Sequence, residues 1–259
     1  MRTFVTVAVV VLLGAALLGL AVTAGGPVGM VVAALGFAFI LILVAIFREY
    51  SLHAQLQRSL AVGESQEVIG LAQRQRRQHW AFPRNMPMDL YEAQAYEQLG
   101  KTELALRSLD ALAARAALPD KWRIVAAALR LSVLLQCEPV TAPSVTSAAE
   151  TLAGYRPVPR SVEGLAQRVA LAHWQVAQGQ FAKAYTDLAA LAKHVQLGAA
   201  QRATAHALAA RAAAGRDELA AAQTHLAAAQ RLGARLALVQ DTVTRLARAQ
   251  DSVGRQSVT

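Results

Sequence analysis

The sequence predicts an all-α protein: a transmembrane helical hairpin followed by an α-solenoid of about five helical hairpins and a C-terminal helix. Three observations predict it. Two long stretches near the N-terminus carry no charge. Past residue 48 the chain reads as amphipathic helix rich in Ala, Leu, Gln and Arg, with no alternating β-branched run that would mark a strand. A glycine followed five residues later by Ala or Val recurs at a near-constant interval.

Residues 1–47 read as the hairpin. The stretches 4–22 and 28–47 are each uncharged and close to the roughly 20 residues that cross a hydrocarbon core. Between them lies the uncharged turn TAGGP, while Arg2 precedes the pair and Arg48 and Arg58 follow it. The distribution of basic residues then predicts a two-span protein of a bacterial-type inner membrane, with both termini and the repeat region cytoplasmic. A competing reading makes the first stretch a cleaved secretory signal, with Arg2 as its basic head and Val22-Thr23-Ala24 as its cleavage site. The apolar run exceeds the roughly 7 to 15 residues of such a signal, which favours the uncleaved helix. Ala15, Gly19, Gly29 and Ala33 are small residues at spacing four, where two membrane helices approach closely. No ionisable residue interrupts either stretch, so no ion pathway is expected.

Composition agrees with a chain that meets lipid: 55% of its 259 residues are hydrophobic and 17% charged. The single Cys137 excludes an intrachain disulfide framework. Net charge is +9, from 26 basic and 17 acidic residues, and the excess flanks a nearly neutral middle.

Residues 48–250 read as the repeat region and 251–259 as a polar tail. The second apolar stretch meets no proline between Val28 and Val62, so it continues as one rod into the first repeat helix. The marker pairs are Gly63 with Val68, Gly100 with Ala105, Gly179 with Ala184 and Gly215 with Ala220. A unit without the glycine is expected between the second and third, from helices at 121–136 and 144–155 flanking CEPVTAP. A final helix is expected near 234–249. Paired helices repeating every 34 to 37 residues or so mark a solenoid.

In AQAYEQLGKTELALRSL the small Ala93, Tyr96, Gly100 and Ala105, and in ALAHWQVAQGQFAKAYTDL the residues Ala172, Gly179, Phe181 and Ala184, make the chain resemble a tetratricopeptide repeat (TPR) protein with an N-terminal membrane anchor. Thr102 and Asp217 depart from the turn aromatic, and Leu208 stands where a small residue belongs. The resemblance implies a concave face, lined by first helices, that binds a protein segment. Its groove positions fall on His53, Gln57, Leu90, Gln94, Glu97, Gln98, His173, Val176 and Arg202. The Lys and Asn clamp for acidic C-terminal peptides is absent, so a helix from a partner or from another copy of the chain suits the groove better.

The segment RQRRQHWAFPR follows the second helix of the first hairpin, which descends from Gly63 by about the distance the rod climbs. Arg74, Arg76, Arg77 and Arg84 with Trp80 and Phe82 then form a membrane-interface patch for anionic lipid. A solvated basic face and an acidic partner are the competing readings; nucleic acid is not expected without a binding fold.

Signatures of hydrolases, zinc sites and phosphate loops are missing, and the six histidines are scattered. No enzyme, metal or cofactor is expected. The reading is a membrane-anchored scaffold or adaptor that binds a protein partner at the cytoplasmic face, with a homo-oligomer allowed. The alternative is a structural accessory subunit of a larger integral membrane complex.

Overall fold

The computed structural model describes residues 16, 19, 23, 26–77, 88–114 and 118–256. Among them are eleven α-helices and no strand: α1 (Gly26–Val62), α2 (Ser65–Arg77), α3 (Met88–Gln98), α4 (Thr102–Ala113), α5 (Asp120–Cys137), α6 (Pro143–Gly154), α7 (Val162–Ala177), α8 (Phe181–Leu191), α9 (Ala199–Ala214), α10 (Leu219–Gly233) and α11 (Ala237–Gln256). The all-α expectation holds for these residues. The helix expected at 234–249 starts three residues later and runs to Gln256, taking in most of the expected tail.

The chain divides into two compact units, Met1–Gln55 and Leu56–Thr259, eight residues beyond the expected boundary. In the first unit, most of the first apolar stretch, 4–22, lies outside the described residues. α1 spans 37 residues, so the second apolar stretch and the residues up to Val62 share one helix, as the absence of proline between Val28 and Val62 predicts. Val31, Leu35, Phe37 and Phe39 are exposed on it. Among the described residues, however, no helix is long and apolar enough to cross a membrane. The transmembrane hairpin, the two-span inner-membrane location and the cytoplasmic placement of the repeat region are corrected accordingly.

The second unit is built from recurring turns. Gly63, Gly100 and Gly179 have φ of 82°, 72° and 77°, and Asp217 has 61°. Each closes the preceding helix in the same way. The amide of the next residue donates to a carbonyl five back: Glu64 to Ser59, Lys101 to Tyr96, Gln180 to Gln175 and Glu218 to Ala213. This is the 6→1 bond of a left-handed helix stop, which glycine adopts without steric penalty. The fourth turn corrects the sequence reading. Gly215 has φ −68° and still caps α9, whereas Asp217 takes the left-handed conformation. Asp is among the few side chains that visit this region readily. The register moves by two, so the buried partner five residues on is Ala222, not the exposed Ala220. The small residue seven before the turn becomes Ala210, which is fully buried, and Leu208 is no departure.

Second helices repeat a stripe at i, i+4 and i+7, the spacing that keeps one helix face inward. Ala105, Leu109 and Leu112 on α4, Val145, Ala149 and Leu152 on α6, and Ala184, Leu188 and Leu191 on α8 are all at most 3% exposed. The stripes start 40 (105 to 145) and 39 (145 to 184) residues apart, so α5 and α6 form the unit that lacks a turn glycine. Pro143 starts α6 instead, at a position where its missing N–H costs nothing. α3, α5, α7 and α9 touch in succession as one layer, and each of α2, α4, α6, α8 and α10 packs on one or two of its members.

The two ends of this unit meet. A Cβ on Gly198, at the start of α9, would stand 2.7 Å from the Cβ of Ala61; Gly63 lies against Leu236, and Gly100 against Ala237. α11 packs on α9 and α10 and reaches α3.

Candidate functional site

The layer made by α3, α5, α7 and α9 is covered in part by α11. Leu238 joins one apolar cluster with Leu165, Ala172 and Val176 of α7 and Ala205, Leu208, Ala209 and Ala212 of α9. Val239 packs with Ala203 and Ala207, and Leu246 with Ala210 and Ala213. The alanine-rich face of α9 explains the fit: small side chains let a second helix approach its backbone closely. Of the α11 side chains described, those buried are Leu238, Val239, Thr242 and Leu246.

Arg211, projecting from α9, fixes that helix. Its Nε donates to Thr242 Oγ1 at 2.8 Å, and its Nη2 donates to Asp241 Oδ2 at 2.7 Å and to the Leu238 carbonyl at 3.3 Å. Arg245 Nε donates to the same Asp241 oxygen at 3.0 Å. Burial opposes ionisation of Asp241, but Arg211 and then Arg245 outweigh it and hold the carboxyl below its ordinary range. The planar guanidinium fork binds three acceptors at once, which an ammonium does less well.

The sequence-predicted groove residues divide into distinct settings. His173 is 5% exposed and lies close enough to Arg211, Arg245 and Asp241 to feel their charges. Burial, reinforced by the two arginines, pushes its pKa down to about 3, so it is a neutral imidazole beneath α11. Val176 lies in the same cluster as Leu238. Leu90 is a core residue with Ala93, Leu109 and Leu112. Gln98 ties helices together: Ser65 Oγ donates to its Oε1 at 2.6 Å, and its Nε2 donates to the Leu60 carbonyl at 3.1 Å. Gln57 is exposed and bonds the Tyr91 hydroxyl. His53 is half-buried in the other unit, and Gln94 is half-buried on α3.

Glu97 accepts a 3.0 Å bond from Gln136 Nε2. Its carboxyl sits deeper than the half-buried residue as a whole, and burial raises its pKa to about 7 against the opposing bond from Gln136. Arg202 is half-buried with its Nε enclosed and making no hydrogen bond. It lies near His206, whose Nδ1 stands 2.9 Å from Nδ1 of His225. Burial lowers both of these imidazoles' pKa values; their mutual proximity, Arg202, Arg231 and Lys193 add for His206, and Lys193 for His225.

Of the proposed interface patch, Arg74 is exposed on α2, and Arg76 and Arg77 lie on the backbone of α2. Trp80, Phe82 and Arg84 lie outside the described residues. Among the described residues no group of three or more His, Cys, Asp and Glu side chains could hold a metal ion.

Sequence reasoning missed Arg211, Asp241 and Thr242. The available signal was the pattern of α11: positions 238, 239, 242 and 246 share one uncharged face, and the charged residues 241, 245, 248, 251 and 255 lie off it.

Compared with protein families, with characterised proteins and with solved structures, the chain matches none.

Proposed function

We propose that this protein is a TPR-like α-solenoid that scaffolds or recruits a protein partner, holding it as a helix against the layer of α3, α5, α7 and α9. The observation that carries the reading is α11, a helix seated on that layer by small side chains and the Arg211 fork. A surface that takes one amphipathic helix has the shape and chemistry to take another. The recurring left-handed turns and the i, i+4, i+7 stripes support the repeat assignment.

Site-specific photo-crosslinking in cells tests it. A photoreactive residue at Gln94, on the inner layer, is expected to give one discrete heterologous adduct, and the same residue at Glu150, exposed on α6, none. Absence of an adduct at Gln94, or equal adducts at both positions, refutes the reading.

A further inference from the structure

We infer that α11 is a built-in stand-in for the partner: the ligand is an amphipathic helix with the α11 pattern, and it binds by displacing α11. The inference rests on the partner-binding reading above and names the partner's chemistry. Among the described side chains of α11 the buried residues lie at i, i+1, i+4 and i+8, as Leu238, Val239, Thr242 and Leu246. At about 100° per residue they fall within an arc of roughly 100°, a single seam. Asp241, at i+3, stands at the edge of that seam and meets the one guanidinium the layer offers it. The partner helix therefore carries two adjacent aliphatic residues, an acid two positions after the second, a small hydroxyl residue next, and a further aliphatic residue one turn on.

α11 is suited to leave. Ala234, Arg235 and Leu236 join it to α10 outside any helix. Of its described large apolar side chains Leu238, Val239 and Leu246 are buried, whereas nine of the sixteen residues of α9 beneath it are buried and none is exposed. Its removal opens the alanine face of α9, Val176 and His173 without breaking any of the recurring helical turns. The acid is what a competitor must supply, because Arg211 loses its carboxylate partner when α11 lifts away.

The test uses the full chain and a fluorescein-labelled peptide of residues 237–256. In the intact chain the internal helix competes, so the peptide is expected to bind Asp241→Lys, in which α11 is repelled by Arg211, at least ~10-fold more tightly than wild type. A peptide carrying Asp241→Lys itself is expected to bind that variant at least ~10-fold more weakly than the native peptide. Equal binding of the native peptide to wild type and variant, with circular dichroism showing the variant folded, overturns the inference. Should the variant not fold, hydrogen exchange on wild type decides: α11 amides are expected to exchange at least ~100-fold faster than those of α9, and equal protection overturns it. A dimer of wild type that the peptide dissociates assigns the seat to a second copy and also overturns it. Adducts at Gln94 that the peptide does not compete away sink this inference alone, whereas peptide binding without any adduct sinks the broader reading instead.

Discussion

Gly198 and Ala61, 137 positions apart in sequence (61 to 198), approach so closely that a methyl group on Gly198 would lie 2.7 Å from the Ala61 Cβ and 3.1 Å from its Cα. The nearest obstacle is the rigid Ala61 methyl group, with the Ala61 backbone just behind it. The contact joins the end of α1 to the start of α9.

Gly198→Ala is expected to destabilise the protein by about 2 kcal/mol, as overpacking does where neighbours cannot yield. Ala61→Gly in the same chain should restore about 1 kcal/mol, measured by urea denaturation of the four members of the cycle. Additive losses would show that the two ends do not bear on each other.

Gly215 and Asp217 exchange the roles their residue types suggest. Asp217→Gly is expected to stabilise by about 0.5 to 1 kcal/mol by relieving the left-handed conformation. Gly215→Ala is expected to cost about 1 to 3 kcal/mol, because its methyl group would meet the Phe181 ring near 2.5 Å. Adding Phe181→Leu should recover part of that loss in thermal melts.

The Arg211 side chain is 13% exposed and binds three groups of α11. Arg211→Met should cost about 2 kcal/mol, and Arg211→Lys most of that, since a point charge cannot span Thr242, Asp241 and the Leu238 carbonyl. Denaturant midpoints at fixed m-value check the ranking.

Stability responds to pH through two buried groups of opposite sign. His173 has its folded pKa depressed to about 3, below the ordinary 6.5, so its contribution is complete above pH 6.5 and is lost as pH falls toward 3. Glu97 has its folded pKa raised from 4.5 to about 7, so stability declines as pH rises from 4.5 to 7 and the loss then stays constant. The two slopes oppose each other between 4.5 and 6.5. Glu97→Gln is expected to stabilise by up to about 3 kcal/mol at pH 8 and to uncover a slope of about 1.4 kcal/mol per pH unit from His173. His173→Gln should remove that slope, as followed by urea titrations from pH 4 to 8.

Gln98→Leu should cost about 2 kcal/mol by leaving the buried Ser65 hydroxyl and Leu60 carbonyl without it, while leaving the α11 seat intact. Loss of peptide binding in that variant would mean that Gln98 belongs to the seat after all.

Helix content was legible because apolar residues recur at helical spacing, and three of four turns because glycine alone takes positive φ without penalty. The fourth turn misled because Gly215 satisfies the same local pattern two residues early, and only the Phe181 ring packed against it explains why glycine stands there. Gln98 and Leu90 sit at plausible groove positions yet serve packing, since a helix position says which face a residue shares and not what comes to cover that face. The location in a membrane, read from two apolar stretches, was the expectation corrected.

The order of residues by itself determined the helical content and three of the four left-handed turns, because these depend on contacts between residues a few positions apart. What only the tertiary structure decided was that Ala61 meets Gly198 and that α11 lies over His173 and Arg211. Such contacts join segments far apart in the chain whose sequences carry no shared local pattern, so no local signal announces them.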